Sequence, residues 1–179
     1  MSNDRQPATH WKTHLLVGIR RHADVATWAH DRIFEWNQEM ANAKESDERP
    51  DPVELDVCLL ALASSYRQIL RRLKKLEGRK ALPGSLQEAA TAYKRASDEF
   101  DIDRFRSLIE YEMEHVIGST EAHYGAELRP AALGTRVLSV GTRLVDGIHA
   151  SLHGVTFDLS TMQAPCERLR RDAVTTIWE

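Results

Sequence analysis

The densest run of ionisable and catalytic-type side chains lies between Asp101 and Gly118, which reads D-I-D-R-F-R-S-L-I-E-Y-E-M-E-H-V-I-G. Guanidinium, carboxylate, phenol and imidazole groups can bind anions and exchange protons when one surface presents them together. The candidate catalytic residues in this run are Arg106, Glu110, Tyr111 and His115. Their usefulness depends on the element that carries them.

The same run predicts a single helix. Asp101 is a favourable N-cap because its carboxylate can accept free backbone N–H groups of the first turn, and Gly118 is a favourable stop. Apolar residues recur at spacings of three and four and therefore share one face; they are Ile102, Phe105, Ile109, Met113 and Val116. The polar residues form two flanks, with Arg106, Glu110 and Glu114 on one and Arg104, Tyr111 and His115 on the other.

Glu112 falls near the middle of the apolar face. A buried carboxylate needs a partner or a raised pKa, so we treat Glu112 and Arg104 as candidate binding residues. Glu112 and His115 also have the three-residue spacing that di-iron helical bundles use twice. His22 and His30 have no glutamate three residues before them, so the second copy is missing. We therefore predict no metal and no cofactor.

Composition indicates one cytoplasmic domain over residues 1–179. The net charge is −3 and 28% of residues are charged, which gives no global attraction to nucleic acid or to a membrane. The longest apolar run, Val57 to Ala63, is far shorter than the ~20 residues that span a bilayer. The polar N-terminus lacks a signal-peptide core. The two cysteines, Cys58 and Cys166, are predicted to be free thiols.

A long amphipathic helix is predicted from Thr9 to about Ala43. Its apolar stripe reads Trp11, Leu15, Gly18, His22, Val25, Ala29, Ile33, Trp36 and Met40. We expect His22, inside this stripe, to be a core histidine bonded to a facing polar group. His10 and His14 have a metal-ligand spacing, but we favour a solvated first turn because no third ligand is evident.

A second helix is predicted from Val53 to Leu76, after the proline-containing loop 45–52. Its stripe consists of Leu55, Leu59, Leu62, Tyr66, Leu70 and Leu73. Val57 and Leu60 point elsewhere, which predicts burial on two sides. The C-terminal half is basic, with Arg67, Arg71, Arg72, Lys74, Lys75, Arg79 and Lys80.

This basic half has two interpretations. Cations gather at the negative end of a helix and remain solvated, or they form a patch for phosphate or an RNA backbone. We favour the first because no aromatic residues are interleaved for base stacking. The candidate binding residues of the second are Arg67, Arg71, Arg72 and Lys75.

Ser85 is predicted to cap a third helix that ends near Asp98, with Glu88 at capping-box spacing. After Gly118 the glycine content rises. Val137–Val145 and Ile148–Leu159 are rich in β-branched residues, and Asp146-Gly147 is a hairpin-turn dipeptide.

These features predict a β-hairpin, followed by a helix that Ser160 or Thr161 caps and that ends near Trp178. A single helix from Pro130 to His153 is the alternative, but its three glycines would each cost ~1 kcal/mol relative to alanine. The fold class is therefore mainly α. We predict a bundle of four to five helices with a small C-terminal hairpin and a last helix, at about residues 135–178. The arginines of that helix, Arg168, Arg170 and Arg171, are expected to be solvated.

The order of elements and the segment Arg106-Ser107-Leu108-Ile109-Glu110-Tyr111 resemble the HEPN superfamily. More narrowly, the chain from Val53 to Trp178 loosely resembles a group of uncharacterised actinobacterial helical proteins. Arg106, Ser107, Glu110 and Gly118 match the motif as they stand. Tyr111 occupies the position of the motif histidine, and His115 follows one turn later.

The resemblance implies a metal-independent endoribonuclease that works as a dimer. In that family the arginine steadies the scissile phosphate and the histidine acts on the 2′-hydroxyl. Tyrosine is a poor base at neutral pH, since its pKa is ordinarily near ~10. We therefore expect a HEPN-like binding or interaction protein without catalysis, acting as a homodimer or a complex subunit. The alternative is an RNA-cleaving toxin or defence enzyme that uses Arg106 with His115 or Tyr111.

Overall fold

The computed structural model describes residues 7–42, 52–110, 140–141, 149–152 and 155–178. Its helices are α1 (Pro7–Asn42), α2 (Pro52–Gly78), α3 (Gln87–Phe100), α4 (residues 102–110) and α5 (Ser160–Trp178). Three short strands, β1 (Val140–Gly141), β2 (His149–Leu152) and β3 (Val155–Asp158), form an antiparallel sheet in the order β1-β2-β3. The predicted fold class, a helical bundle with a small C-terminal sheet and a last helix, is confirmed.

α1 and α2 form the main antiparallel pair of the bundle. Near one end, Arg32 of α1 forms an ion pair with Glu54 of α2. Near the other end, the side chain of Arg72 passes over Gly18. α5 packs against both α1 and α3, so the core lies between these helices. Among the described residues, no helix is long and apolar enough to cross a membrane.

The buried face of α1 is broader than the predicted stripe and differs from it in the N-terminal half. Val25 is 40% exposed and His22 is only half-buried, so neither is the core residue that we expected. The residues buried in that half are instead Leu16, Ile19, Ala23 and Ala26. α1 is covered by two helices, α2 and α5, and the arc facing two neighbours is wider than one stripe.

The close approach at Gly18 gives a first prediction. A Cβ at this position would lie 2.9 Å from Arg72 Cδ, and the clashing atoms belong to a flexible side chain. Gly18→Ala should therefore displace Arg72 into solvent and raise the free energy of unfolding by about 0.5–1 kcal/mol, through helix propensity. Urea unfolding measures the change. The same substitution in an Arg72→Ala background is the control and should give at least as large a gain. A loss above about 1 kcal/mol in the single variant would contradict the displacement.

Four aromatic rings join α2, α3, α4 and β3. Phe100 lies 5.8 Å from Tyr66, 5.0 Å from Phe105 and 5.6 Å from Phe157 between ring centroids. Phe105 and Phe157 are 4.9 Å apart. These separations lie in the range that favours tilted and edge-to-face ring pairs. Through Phe105, the cluster attaches α4 to α3 and β3.

Asp101 both ends α3 and begins α4. Its backbone has φ 56° and ψ 62°, the left-handed conformation that terminates a helix. Its Oδ1 accepts a hydrogen bond of 3.2 Å from the Arg104 N–H, and its carbonyl oxygen accepts one of 2.9 Å from the Phe105 N–H. The predicted N-cap is therefore confirmed. The connection between the helices is a single residue, shorter than we expected.

Two other predicted caps were wrong. Ser85 does not cap α3; it lies in a 3₁₀ turn, Gly84–Leu86, and its Oγ is 2.9 Å from Thr176 Oγ1 of α5. At α5 the capping side chain is Asp158, whose Oδ1 accepts a 2.9 Å hydrogen bond from the Ser160 N–H. In the first case the serine hydroxyl forms a tertiary hydrogen bond to α5 instead of capping its own helix. In the second case the side chain of Asp158, at the end of β3, accepts the backbone N–H of the first residue of α5.

The predicted hairpin is confirmed by the pairing of β1 with β2, in which Val140 opposes Ala150. The turn dipeptide Asp146-Gly147 itself lies outside the described residues. Residues 148–159 were expected to be one strand, but they contain two: β2 and β3 pair with Leu152 opposite Val155. The two residues between them in the sequence include Gly154, a turn signal that we had not used. His153 also lies outside the described residues.

Two of the three α5 arginines that we expected to be solvated form ion pairs, whereas Arg171 is exposed as predicted. Arg168 lies 2.6 Å from Glu88 of α3, and Arg170 lies 3.5 Å from Asp24 of α1. Both side chains remain partly exposed, so each pair adds little to stability. The pairs show which helices α5 lies beside. Cys58 and Cys166 are both buried and free, as predicted.

Candidate binding surfaces

α4 brings two of the four candidate catalytic residues together. Arg106 and Glu110 lie one turn apart and form an ion pair through Arg106 Nη2 and Glu110 Oε1. The Arg106 side chain is half-buried, and its Nε has no hydrogen-bond partner in the described part of the chain. The shared flank predicted for these two residues is confirmed. The charge of Arg106 is balanced by Glu110 of the same helix.

The rest of the predicted catalytic set lies outside the described residues. Tyr111, Glu112 and His115 follow directly after the described part of α4. Their convergence with Arg106 stays a prediction, as does a partner for Glu112. In the described part of α4, the predicted catalytic set is therefore represented only by the Arg106–Glu110 ion pair.

Arg67 links α2 to α4. Its Nε lies 3.4 Å from Asp103 Oδ1, and the Asp103 side chain is largely exposed. An exposed pair of this length contributes little stability because water and salt screen it. Arg104, a candidate binding residue, is exposed on the same helix. The surface formed by α4 and the adjacent part of α2 therefore alternates positive and negative groups.

The basic residues of α2 do not form one patch. Arg71 and Lys75 are exposed, whereas Arg72 turns toward α1 and its Nη1 donates to the Gln68 carbonyl (3.1 Å) and side-chain Oε1 (2.8 Å). Burial lowers the pKa of Arg72. Arg79 lies over the Trp11 ring, 4.6 Å from its centroid, a cation–π contact that interhelical packing creates.

A buried polar chain escaped sequence reasoning. His30 is 5% exposed, and its Nε2 lies 2.5 Å from the Tyr66 hydroxyl. The Tyr93 hydroxyl then donates to the Tyr66 carbonyl at 3.0 Å. His30 follows Ala26 by four residues and precedes Ile33 by three, so helical spacing from the true core face would have located it.

Burial makes these groups poor candidates for chemistry at neutral pH. It lowers the pKa of His30 to about 4 and raises the pKa of Tyr66 well above its ordinary value, with Cys166 adding to the second effect. Burial, assisted by Glu167, raises the pKa of the Cys166 thiol to about 12. A thiol held protonated is not a nucleophile. The hydrogen-bonded groups of His30, Tyr66 and Tyr93 therefore form an uncharged network with a structural role.

An exposed apolar feature lies along the outer side of the α1–α2 pair. Trp28 is 49% exposed and Val57 is 50% exposed, although Val57 was expected to be buried. Arg32 of α1 forms an ion pair with Glu54 of α2. Trp28 precedes Arg32 by one turn and Val57 follows Glu54 by three residues. Because the two helices are antiparallel, Trp28 and Val57 are displaced from that ion pair in the same direction along the helix axes. Val25 continues the line on α1. We call Val25, Trp28 and Val57 the apolar strip.

Metal ligation and homology add no further site. The described residues contain no group of three or more His, Cys, Asp or Glu side chains that could hold a metal ion. Comparisons with protein-family models, curated proteins and solved structures found no match. The candidate surfaces among the described residues are therefore α4 and the apolar strip.

Proposed function

We propose that this chain is a HEPN-like helical binding protein that acts without catalysis, in the cytoplasm, as a homodimer or as a subunit of a complex. The observation that carries the proposal is the apolar strip. Exposed tryptophan is uncommon on surfaces that contact only water, and tryptophan is enriched where proteins bind one another. Val25 on α1 and Val57 on α2 are the other exposed apolar side chains of the strip.

The state of Arg106 supports a non-catalytic role. A guanidinium that steadies a phosphate must present free N–H donors. Arg106 pairs its Nη2 with Glu110, and its unpartnered Nε is buried. A bound phosphate would therefore place a second negative group beside a guanidinium whose charge is already partly balanced.

A photo-crosslinking experiment tests the proposed function. A benzoylphenylalanine side chain is introduced at Trp28, and at Lys74 as the matched exposed control on α2. The cells that express each variant are then irradiated. We expect a discrete covalent adduct from position 28 and none from position 74. The absence of an adduct at position 28 in a folded protein would contradict the proposal.

The endoribonuclease alternative is tested with purified protein and labelled RNA. Wild type is compared with Arg106→Ala and His115→Ala. We expect no cleavage by any of the three proteins. Cleavage by wild type that both substitutions abolish would establish the nuclease and overturn the non-catalytic role.

A further inference from the structure

The charge pattern around the apolar strip identifies a partner. The outward stripe of α1 carries Arg21, Trp28 and Glu35, separated by seven residues each. Between them, Asp24 lies four residues before Trp28 and Arg32 lies four residues after it. Opposite charges therefore sit at equal distances on the two sides of the tryptophan.

We propose that a second copy of this chain docks on α1 in antiparallel orientation, with a two-fold axis at Trp28. This inference rests on the proposed function and names its partner. An isologous contact joins each residue on one side of the axis to its counterpart on the other side in the second copy. Arg21 then faces Glu35 of the second copy, and Asp24 faces Arg32. Each pair occurs twice, and the two Trp28 rings meet at the axis.

The alternative helix polarity is disfavoured by the same residues. In a parallel contact, Arg21 would face Arg21 and Glu35 would face Glu35. Like charges placed opposite one another repel, which provides discrimination between arrangements. The antiparallel arrangement places Arg21 opposite Glu35 and Asp24 opposite Arg32 over about 21 Å of helix, the axial distance from Arg21 to Glu35.

Three of these four charged side chains already have partners within the chain, but all four remain at least partly exposed. Asp24 lies 3.7 Å from Arg20 and 3.5 Å from Arg170, and its side chain is 46% exposed. Arg21 is exposed and has no ion pair with any described residue. The Glu35 side chain is 53% exposed, although it contacts Arg32. Arg32 also binds Glu54 on α2, so the second copy extends an existing charge network. Val57 borders the same region and widens the apolar contact beyond α1.

Sedimentation equilibrium of the full chain over a range of concentrations tests the proposal. Wild type should form a dimer, and Trp28→Asp should weaken it at least about 30-fold, the loss typical of a central tryptophan anchor. Arg21→Glu and Glu35→Arg should each weaken self-association because each variant places like charges in register. Lys74→Glu, a charge reversal away from the strip, is the control and should dimerise as wild type does.

Mixing the two charge variants gives the sharpest result. Neither Arg21→Glu nor Glu35→Arg should dimerise well alone, but an equimolar mixture should form a heterodimer, because both cross-pairs are then of opposite sign. The double variant Arg21→Glu/Glu35→Arg should also recover dimerisation. Circular dichroism establishes that every variant is folded.

Two outcomes would overturn the inference. One is a wild-type chain that stays monomeric at every concentration. The other is a dimer that persists in Trp28→Asp or ignores both charge reversals. If crosslinking at position 28 still yields an adduct with a different protein, the proposed function stands and only the identity of the partner is wrong. If no adduct forms at all, the proposed function and the proposed dimer are both wrong.

Discussion

Replacing Phe105 with alanine is expected to lower the free energy of unfolding by about 3–5 kcal/mol, the range for truncating a buried phenylalanine. Phe105 is fully buried and contacts both Phe100 and Phe157. Truncation leaves a cavity between α3, α4 and β3 and removes two aromatic pairs. Few single substitutions of an uncharged residue should lower the free energy of unfolding of this protein by a larger amount.

Urea unfolding monitored by circular dichroism measures the loss. Phe34→Ala is the matched control, because Phe34 is the same residue type on α1 but is 43% exposed. It should cost less than about 1 kcal/mol, as surface substitutions usually do. Equal losses for the two variants would show that α4 is not attached to the core through Phe105. Phe105→Leu should retain most of the stability because the site keeps most of its apolar volume.

Acidification is expected to destabilise the fold through His30. Its pKa is about 4 in the folded chain against 6.5 for an ordinary histidine, so the unfolded state binds more protons between these values. The free energy of unfolding is therefore highest above pH 6.5 and falls as the pH drops toward 4. The full loss from this one residue is about 3 kcal/mol, from the size of the pKa difference.

The measurement compares wild type with His30→Gln in urea at a series of pH values from 7 to 4. Carboxylates titrate in both proteins, so their contribution cancels in the difference. The glutamine cannot titrate and can still bond to the Tyr66 hydroxyl, so its stability should depend less on pH. An unchanged slope in His30→Gln would contradict the assignment. The lowered pKa of half-buried His22, caused by burial and then by Arg72 and Arg21, adds in the same direction and remains in both proteins.

The elements that depend on local chemistry were predictable from the sequence. The start of α2 directly after the proline-containing loop and the cap at Asp101 follow from proline and aspartate residues that act on their own neighbours. The β1–β2 pairing agrees with the predicted hairpin. The shared flank of Arg106 and Glu110 follows from helical spacing alone. In each case the interacting groups are close in the sequence.

The features that were missed depend on residues far apart in the sequence. The buried face of α1 is set partly by α5, more than a hundred residues later, so a single-helix stripe could not locate it. His30 meets Tyr66 across 36 positions, and Ser85 meets Thr176 across 91. Exposure of Val57 likewise depends on which sides of α2 receive neighbours. Local periodicity reports that a face is apolar but not how many helices cover it.

The single-residue connection at Asp101 restricts how the chain can vary. A positive φ disfavours β-branched and most other side chains by roughly 1–2 kcal/mol, and the cap demands a short side-chain acceptor. Asparagine meets both demands, glycine meets only the first, and serine meets only the second. Functional descendants of this chain should therefore show a narrow alphabet at position 101, even where the outer surfaces of α3 and α4 have diverged freely.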